Sequence, residues 1–226
     1  LPPDAPVIVI PLKLNWNPDI SESTMVHRDL TIAAYVDGKI HVPHVSTKKS
    51  VDIIKKFKNS GLNVTAEVSP HHLTLTDEML KNYNTNAKVA PPLRSIKDKD
   101  SLISAIKNGI IDCIATDHAP HSSDDKEKDI KNAPCGMIGL ESAFGLVNKE
   151  LSNSKMNIKS IIDLFTINPS KIVNVIPNSI KEGNNAEINI IDPKNKWVFD
   201  DKHIYSQSKN SPIIGLELIG RVLFTI

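Results

Sequence analysis

The apolar run at residues 110–114, followed at once by Ala115-Thr116-Asp117-His118-Ala119-Pro120-His121, constrains this chain more than any other stretch. A short, continuously apolar segment reads as a strand buried on both faces, the kind a parallel sheet requires. It ends in an acid and two histidines, and Pro120 stops it from continuing. Ionisable residues at the C-terminal end of a buried strand mark the active-site edge of an α/β protein. What matters next is which other segments deliver reactive groups to that edge.

Strands alternate with amphipathic helices ahead of it. Ser21 offers an N-cap for a helix over 22–36, with Gly38 as its C′ residue. Residues 39–45 read as a strand ending at His44. Thr47 caps a helix over 48–60 that carries Val51, Ile54 and Phe57 on one face and is closed by Gly61. A second strand over 62–68 ends at Ser69-Pro70-His71-His72. A short helix over 77–83 and an extended piece at 88–90 lead into Pro91-Pro92-Leu93-Arg94, and a helix over 95–107 precedes the strand that reaches Asp117. Such alternation implies a parallel sheet with right-handed crossovers, and it places His44, His71 and Asp117 on one face.

The flanks are read differently. Residues 1–20 form an uncertain N-terminal segment, with a strand reading at 7–10 that Pro11 ends. Residues 121–133 are polar without apolar periodicity and read as a loop. Helices are expected over 140–151, 158–165 and 169–173, the last capped by Asn168. From 177 onward, apolar or alternating pieces at 186–191, 197–199 and 220–226, with Asp192-Pro193 between the first two, read as a small antiparallel β layer.

Bulk properties exclude some classes. Lys plus Arg is 27 and Asp plus Glu is 26, so nothing steers the chain toward nucleic acid or an anionic membrane. No run approaches the ~20 apolar residues of a membrane span. The opening lacks a basic start and holds three prolines by Pro6, a poor signal peptide. The two cysteines, Cys113 and Cys135, have no framework spacing, and Cys113 reads as a small core residue. A reducing cytoplasm is the expected setting.

His44, Asp117 and His121 are the candidates for chemistry. Neutral imidazole and carboxylate suit zinc, and a zinc-held water has its pKa lowered toward ~7. A carboxylate touching metal and water can take the proton and pass it to a leaving nitrogen. The plainer readings are a histidine satisfied by backbone carbonyls and a turn acid, but a turn acid rarely carries two flanking histidines. His71 and His72, taken as neighbours on a strand, point to opposite faces, so at most one can face the site. A structural role is favoured for both.

Four blocks carry a resemblance. His44-Val45-Ser46-Thr47-Lys48-Lys49-Ser50, Thr65-Ala66-Glu67-Val68-Ser69-Pro70-His71-His72-Leu73, Lys88-Val89-Ala90-Pro91-Pro92-Leu93-Arg94-Ser95 and Ala115-Thr116-Asp117-His118-Ala119-Pro120-His121 occur in this order. Together they resemble the bacterial-type dihydroorotases of the amidohydrolase superfamily, over about residues 20–226. The resemblance implies an α/β fold: part of a metal-dependent (β/α)8 barrel at 21–176 and part of a small β-sandwich at 177–226. It implies zinc and the reversible closure of N-carbamoyl-L-aspartate to dihydroorotate. Carried over residue by residue, His44 would be a zinc ligand and Asp117 a ligand and the general acid/base. His121 would contact substrate, with Ala90 and the backbone around Cys135 and Gly136 closing over it. A homodimer or an aspartate transcarbamoylase would be the macromolecular partner. The alternatives are a non-catalytic scaffold of that transcarbamoylase and another cyclic amidase, a hydantoinase or an allantoinase.

Two departures temper the expectation. The family commonly has asparagine where this chain has Ala90, and losing that contact would cost about 1–3 kcal/mol unless a neighbouring backbone group replaces it. The family's His-x-His pair, its bridging acidic or carboxylated-lysine ligand and an earlier histidine have no counterpart here. Two protein ligands are too few for tight zinc. Three strands cannot close a barrel. The chain is therefore expected to be a C-terminal portion of such an enzyme, inactive or nearly so alone.

Overall fold

The computed structural model describes residues 17–177 and 179–226. The strand reading at 7–10 lies outside them.

Helix α1 (Asp19–Tyr35) starts three residues before the predicted position, because Pro18 rather than Ser21 occupies the cap and Asp19 and Glu22 place negative charge in the first turn. Its left-handed C-terminal residue is Asp37 (φ 51°), not Gly38. Strand β1 (Ile40–Val42) is shorter than predicted, since Pro43 follows it and His44 turns to φ 33°. Helix α2 (Lys48–Asn59) is capped as expected by the Thr47 side chain, which accepts from Ser50 N–H.

Strand β2 (Val64–Val68) alternates as a two-faced strand must. Val64, Ala66 and Val68 are buried in the same core as Leu30 of α1 and Ile54 of α2, while Thr65 and Glu67 face the other way. Past β2 the chain coils into α3 (Pro70–Thr74), with Ser69 as cap and Pro70 at the first position. Helix α4 (Ile96–Lys107), capped by Ser95, adds Leu102 and Ile106 to this core. Strand β3 is only Cys113–Ile114, because the amides of Ile110 and Ile111 still bond to Ala105 O at the end of α4.

The three strands are parallel in the order β1-β2-β3, with His41 opposite Thr65 and Glu67 opposite Cys113. Among the described residues they form an open three-stranded sheet.

The segment after Asp117 is more ordered than its polarity suggested. Ser122 caps a short helix α5 (Ser123–Lys126), and buried Lys126 donates to the carbonyls of Pro134 (3.0 Å) and Gly136 (2.9 Å). Helices α6 (Ala143–Asn153), α7 (Ile158–Asp163) and α8 (Ile167–Ile172) follow. Asn168 lies inside α8 rather than capping it, and its amide donates to Asp112 O at 2.8 Å.

Strands β4 (Asn189–Val198) and β5 (Glu217–Thr225) pair antiparallel. Asp192-Pro193 does not divide β4. The proline cannot join the ladder, so the register shifts between Asp192 and Lys196 and the pairing resumes. This layer is anchored on α6, where Asn148 donates to Pro193 O (2.9 Å) and Ile219 O (2.8 Å), and Leu146 shares a core with Phe199 and Leu218. No helix among the described residues is long and apolar enough to cross a membrane.

Candidate metal centre

Three candidate side chains, His44, His71 and Asp117, stand at the C-terminal ends of the parallel strands. His44 and Asp117 both leave their strands through left-handed backbone, at φ 33° and 49°. Non-glycine residues pay about 1–3 kcal/mol to stay there and tend to do so at functional sites. His71 comes from the first turn of α3. Its Nε2 lies 3.8 Å from Asp117 Oδ2, too far for a hydrogen bond. Its side chain is 3% exposed, and Nε2 is buried without a hydrogen-bond partner.

The electrostatics couple these groups to one another. Burial, then His72, then His44 hold the His71 pKa well below the ordinary histidine value, so the ring is neutral and its approach to Asp117 is not an ion pair. Burial raises the Asp117 carboxyl, His44 opposes the rise and Glu67 adds to it. The His71 Nε2 is thus an unpartnered, buried imidazole nitrogen 3.8 Å from a carboxylate, with His44 in electrostatic reach of both.

His72, by contrast, has both ring nitrogens engaged. Its Nδ1 meets Ser69 Oγ at 2.7 Å and its Nε2 donates to Pro91 O at 2.9 Å. For His71 the parity rule does not apply, because the backbone beyond Val68 is helical rather than extended. The Ser-Pro pair at 69–70 is a helix-start signal, and it could have revealed the change.

Below and beside the centre, two acids hold the loop that carries His44. The Glu67 carboxylate accepts from the backbone N–H of His44, and it stays ionised because His41 bonds to it. From α1, Glu22 accepts from the amides of Ser46 and Thr47, both at 3.1 Å, and from both hydroxyls. The buried Arg94 guanidinium completes this knot. It donates to Ser46 Oγ at 3.1 Å and comes within 3.8 Å of Glu22.

The other sequence candidates form a neighbouring wall. His121 Nε2 donates to Cys135 O at 2.9 Å, and Gly136 N–H to Lys88 O at 2.8 Å, which brings the segment ending at exposed Ala90 alongside. Gly136 O accepts from Lys126 and from Asn210. Gly136 itself sits at φ 133°, and a Cβ there would lie 2.5 Å from Ala119 Cβ and 2.9 Å from His121 Nε2. Gly136→Ala is therefore expected to cost about 2–4 kcal/mol, from backbone strain plus overpacking, measured by urea unfolding.

The fold is that of an α/β protein with ionisable side chains gathered at the ends of its parallel strands. Residues 27–223 match the Amidohydrolase family, and the chain belongs to it. It is 42% identical over 221 residues to a protein of Caldanaerobacter subterraneus subsp. tengcongensis named dihydroorotase, covering 97% of this chain and 51% of that one. It is 43% identical over 220 residues to an Elusimicrobium minutum protein of the same name, covering 96% and 51%. Among solved structures, the L-hydantoinase (dihydropyrimidinase) of Arthrobacter aurescens superposes with a TM-score of 0.86 at 26% identity, over 93% of this chain and 48% of that one. The chain spans about half the length of the curated relatives it matches.

Proposed function

We propose that this chain carries part of the active site of a zinc-dependent cyclic amidohydrolase that interconverts N-carbamoyl-L-aspartate and dihydroorotate. The observation that carries the reading is the unpartnered His71 Nε2 facing Asp117. In this reading His71 joins His44 and Asp117 as a third candidate ligand, the number a catalytic zinc site uses. Zinc bound there supplies a Lewis acid and lowers the pKa of water. Asp117 takes a proton on ring opening and returns it to the leaving nitrogen, and in the closing direction it does the reverse. His121 reaches the substrate carboxylate by giving up its bond to Cys135 O. The backbone of 135–136 serves as wall rather than donor, since Gly136 N–H and C=O are already bonded.

The dihydroorotase names of the relatives at about 40% identity support this substrate over a hydantoin. In this reading, residues 21–176 are part of a (β/α)8 barrel and 177–226 part of a β-sandwich. Both cysteines are free, which supports a cytoplasmic setting. The test is a substrate panel on the protein carrying this chain, supplied with zinc. Dihydroorotate should be opened well ahead of hydantoin, dihydrouracil and allantoin, and Asp117→Asn should cost on the order of a hundredfold or more in kcat. Preference for hydantoin would overturn the substrate, and an unimpaired Asp117→Asn would overturn the mechanism.

A further inference from the structure

Beneath the centre just described, the open face of the sheet holds a second group of donors. One ligand atom from each of His41, Glu67 and Cys113 lies within 4.8 Å of the others. They come from β1, β2 and β3 in turn. Glu67 and Cys113 are register partners, and His41 is paired with Thr65, two residues before Glu67 on the same face. We propose that these three residues form a separate cation site that takes a thiophilic divalent ion of the zinc, cobalt(II) or cadmium class.

The chemistry of the donors argues for that class. Thiolate, imidazole and carboxylate together suit a borderline-soft ion and not magnesium or calcium. The His41 ring is already oriented for the task. Thr65 Oγ1 holds Nδ1 at 2.7 Å, and Nε2 points at Glu67 Oε2, 3.0 Å away. A ligating histidine with its far nitrogen fixed by a hydrogen bond is the usual outer-shell arrangement of a zinc site. The His41 and Glu67 side chains are half-buried on the sheet face and Cys113 is buried at the base of the cluster. On binding, Cys113 releases its thiol proton to solvent, the neutral His41 ring moves its proton from Nε2 to Nδ1, where Thr65 Oγ1 accepts it, and the His41–Glu67 hydrogen bond is exchanged for one bond from each residue to the ion. Three protein ligands leave the fourth position of a tetrahedral ion to water. The site goes beyond the hydrolase reading and does not depend on it, because His44, His71 and Asp117 include no sulfur.

That difference supplies the test. Cobalt(II) is titrated into the full chain, and thiolate-to-cobalt charge-transfer absorption is followed in the near ultraviolet. The band should appear and saturate stoichiometrically. Cys113→Ser should abolish it, and His41→Ala and Glu67→Gln should each weaken binding by about tenfold or more. Cys135→Ser and His44→Asn should leave it in place. Thermal melts of each variant identify any that fail to fold, and the His41 and Glu67 variants decide the question if Cys113→Ser does. Cobalt binding without a thiolate band, a band that follows Cys135, a band indifferent to His41 and Glu67, or no binding at all would overturn the proposal.

Discussion

His71→Ala is expected to strip zinc from the candidate centre, weakening its affinity by roughly a hundredfold or more. Losing an outer partner of a metal ligand already costs 10- to 100-fold, so losing a ligand costs at least that. The measurement is zinc retained against a chelator, made in a Cys113→Ser background so that one centre alone is counted. The neighbouring His72→Ala is the contrast. It leaves Pro91 O and Ser69 Oγ without their buried partner and should cost about 1–3 kcal/mol of stability while zinc is retained. If His72→Ala sheds zinc and His71→Ala does not, the roles of the two rings are reversed.

Glu22→Ala is expected to destabilise the fold by about 3–5 kcal/mol, because it leaves the buried Arg94 guanidinium without its nearest countercharge, with only Asp98 and Asp19 acting on it. The same carboxylate also satisfies two amides and two hydroxyls at the entry to α2. Denaturant unfolding reads the loss directly. Glu22→Gln keeps an acceptor oxygen and should lose less. Since Ser46 and Thr47 follow His44 by two and three residues, Glu22→Ala should loosen the His44 corner as well. A cost below 1 kcal/mol would mean that Arg94 finds another partner.

Much of this was legible before the structure. The alternation of strands and amphipathic helices announces the parallel sheet, and Thr47 announces the start of α2, because local capping chemistry and periodicity decide those features. His44 and Asp117 were legible as strand-end donors, and the structure puts them within electrostatic reach of each other. What was not legible depended on tertiary pairing. The 110–114 run gives only a two-residue strand, since the end of α4 retains the first amides. Asp192-Pro193 ends no strand, since β5 holds both sides of the bulge. Glu22 reads as an ordinary helical acid until α1 is packed against the amides of Ser46 and Thr47. The face of His71 was not legible, because a rule for extended chains does not hold past Val68, where the backbone turns into α3.

The backbone at His44 and Asp117 narrows substitution freedom more than their chemistry does. At φ 33° and 49°, a β-branched or bulky residue would straighten the corner as well as remove the donor. Alanine scanning there confounds two losses. Asparagine occupies the same region at little cost, so it isolates the side chain's own contribution. At these two positions histidine, aspartate, asparagine and glycine meet the backbone's demand at the least cost, independently of what their side chains do.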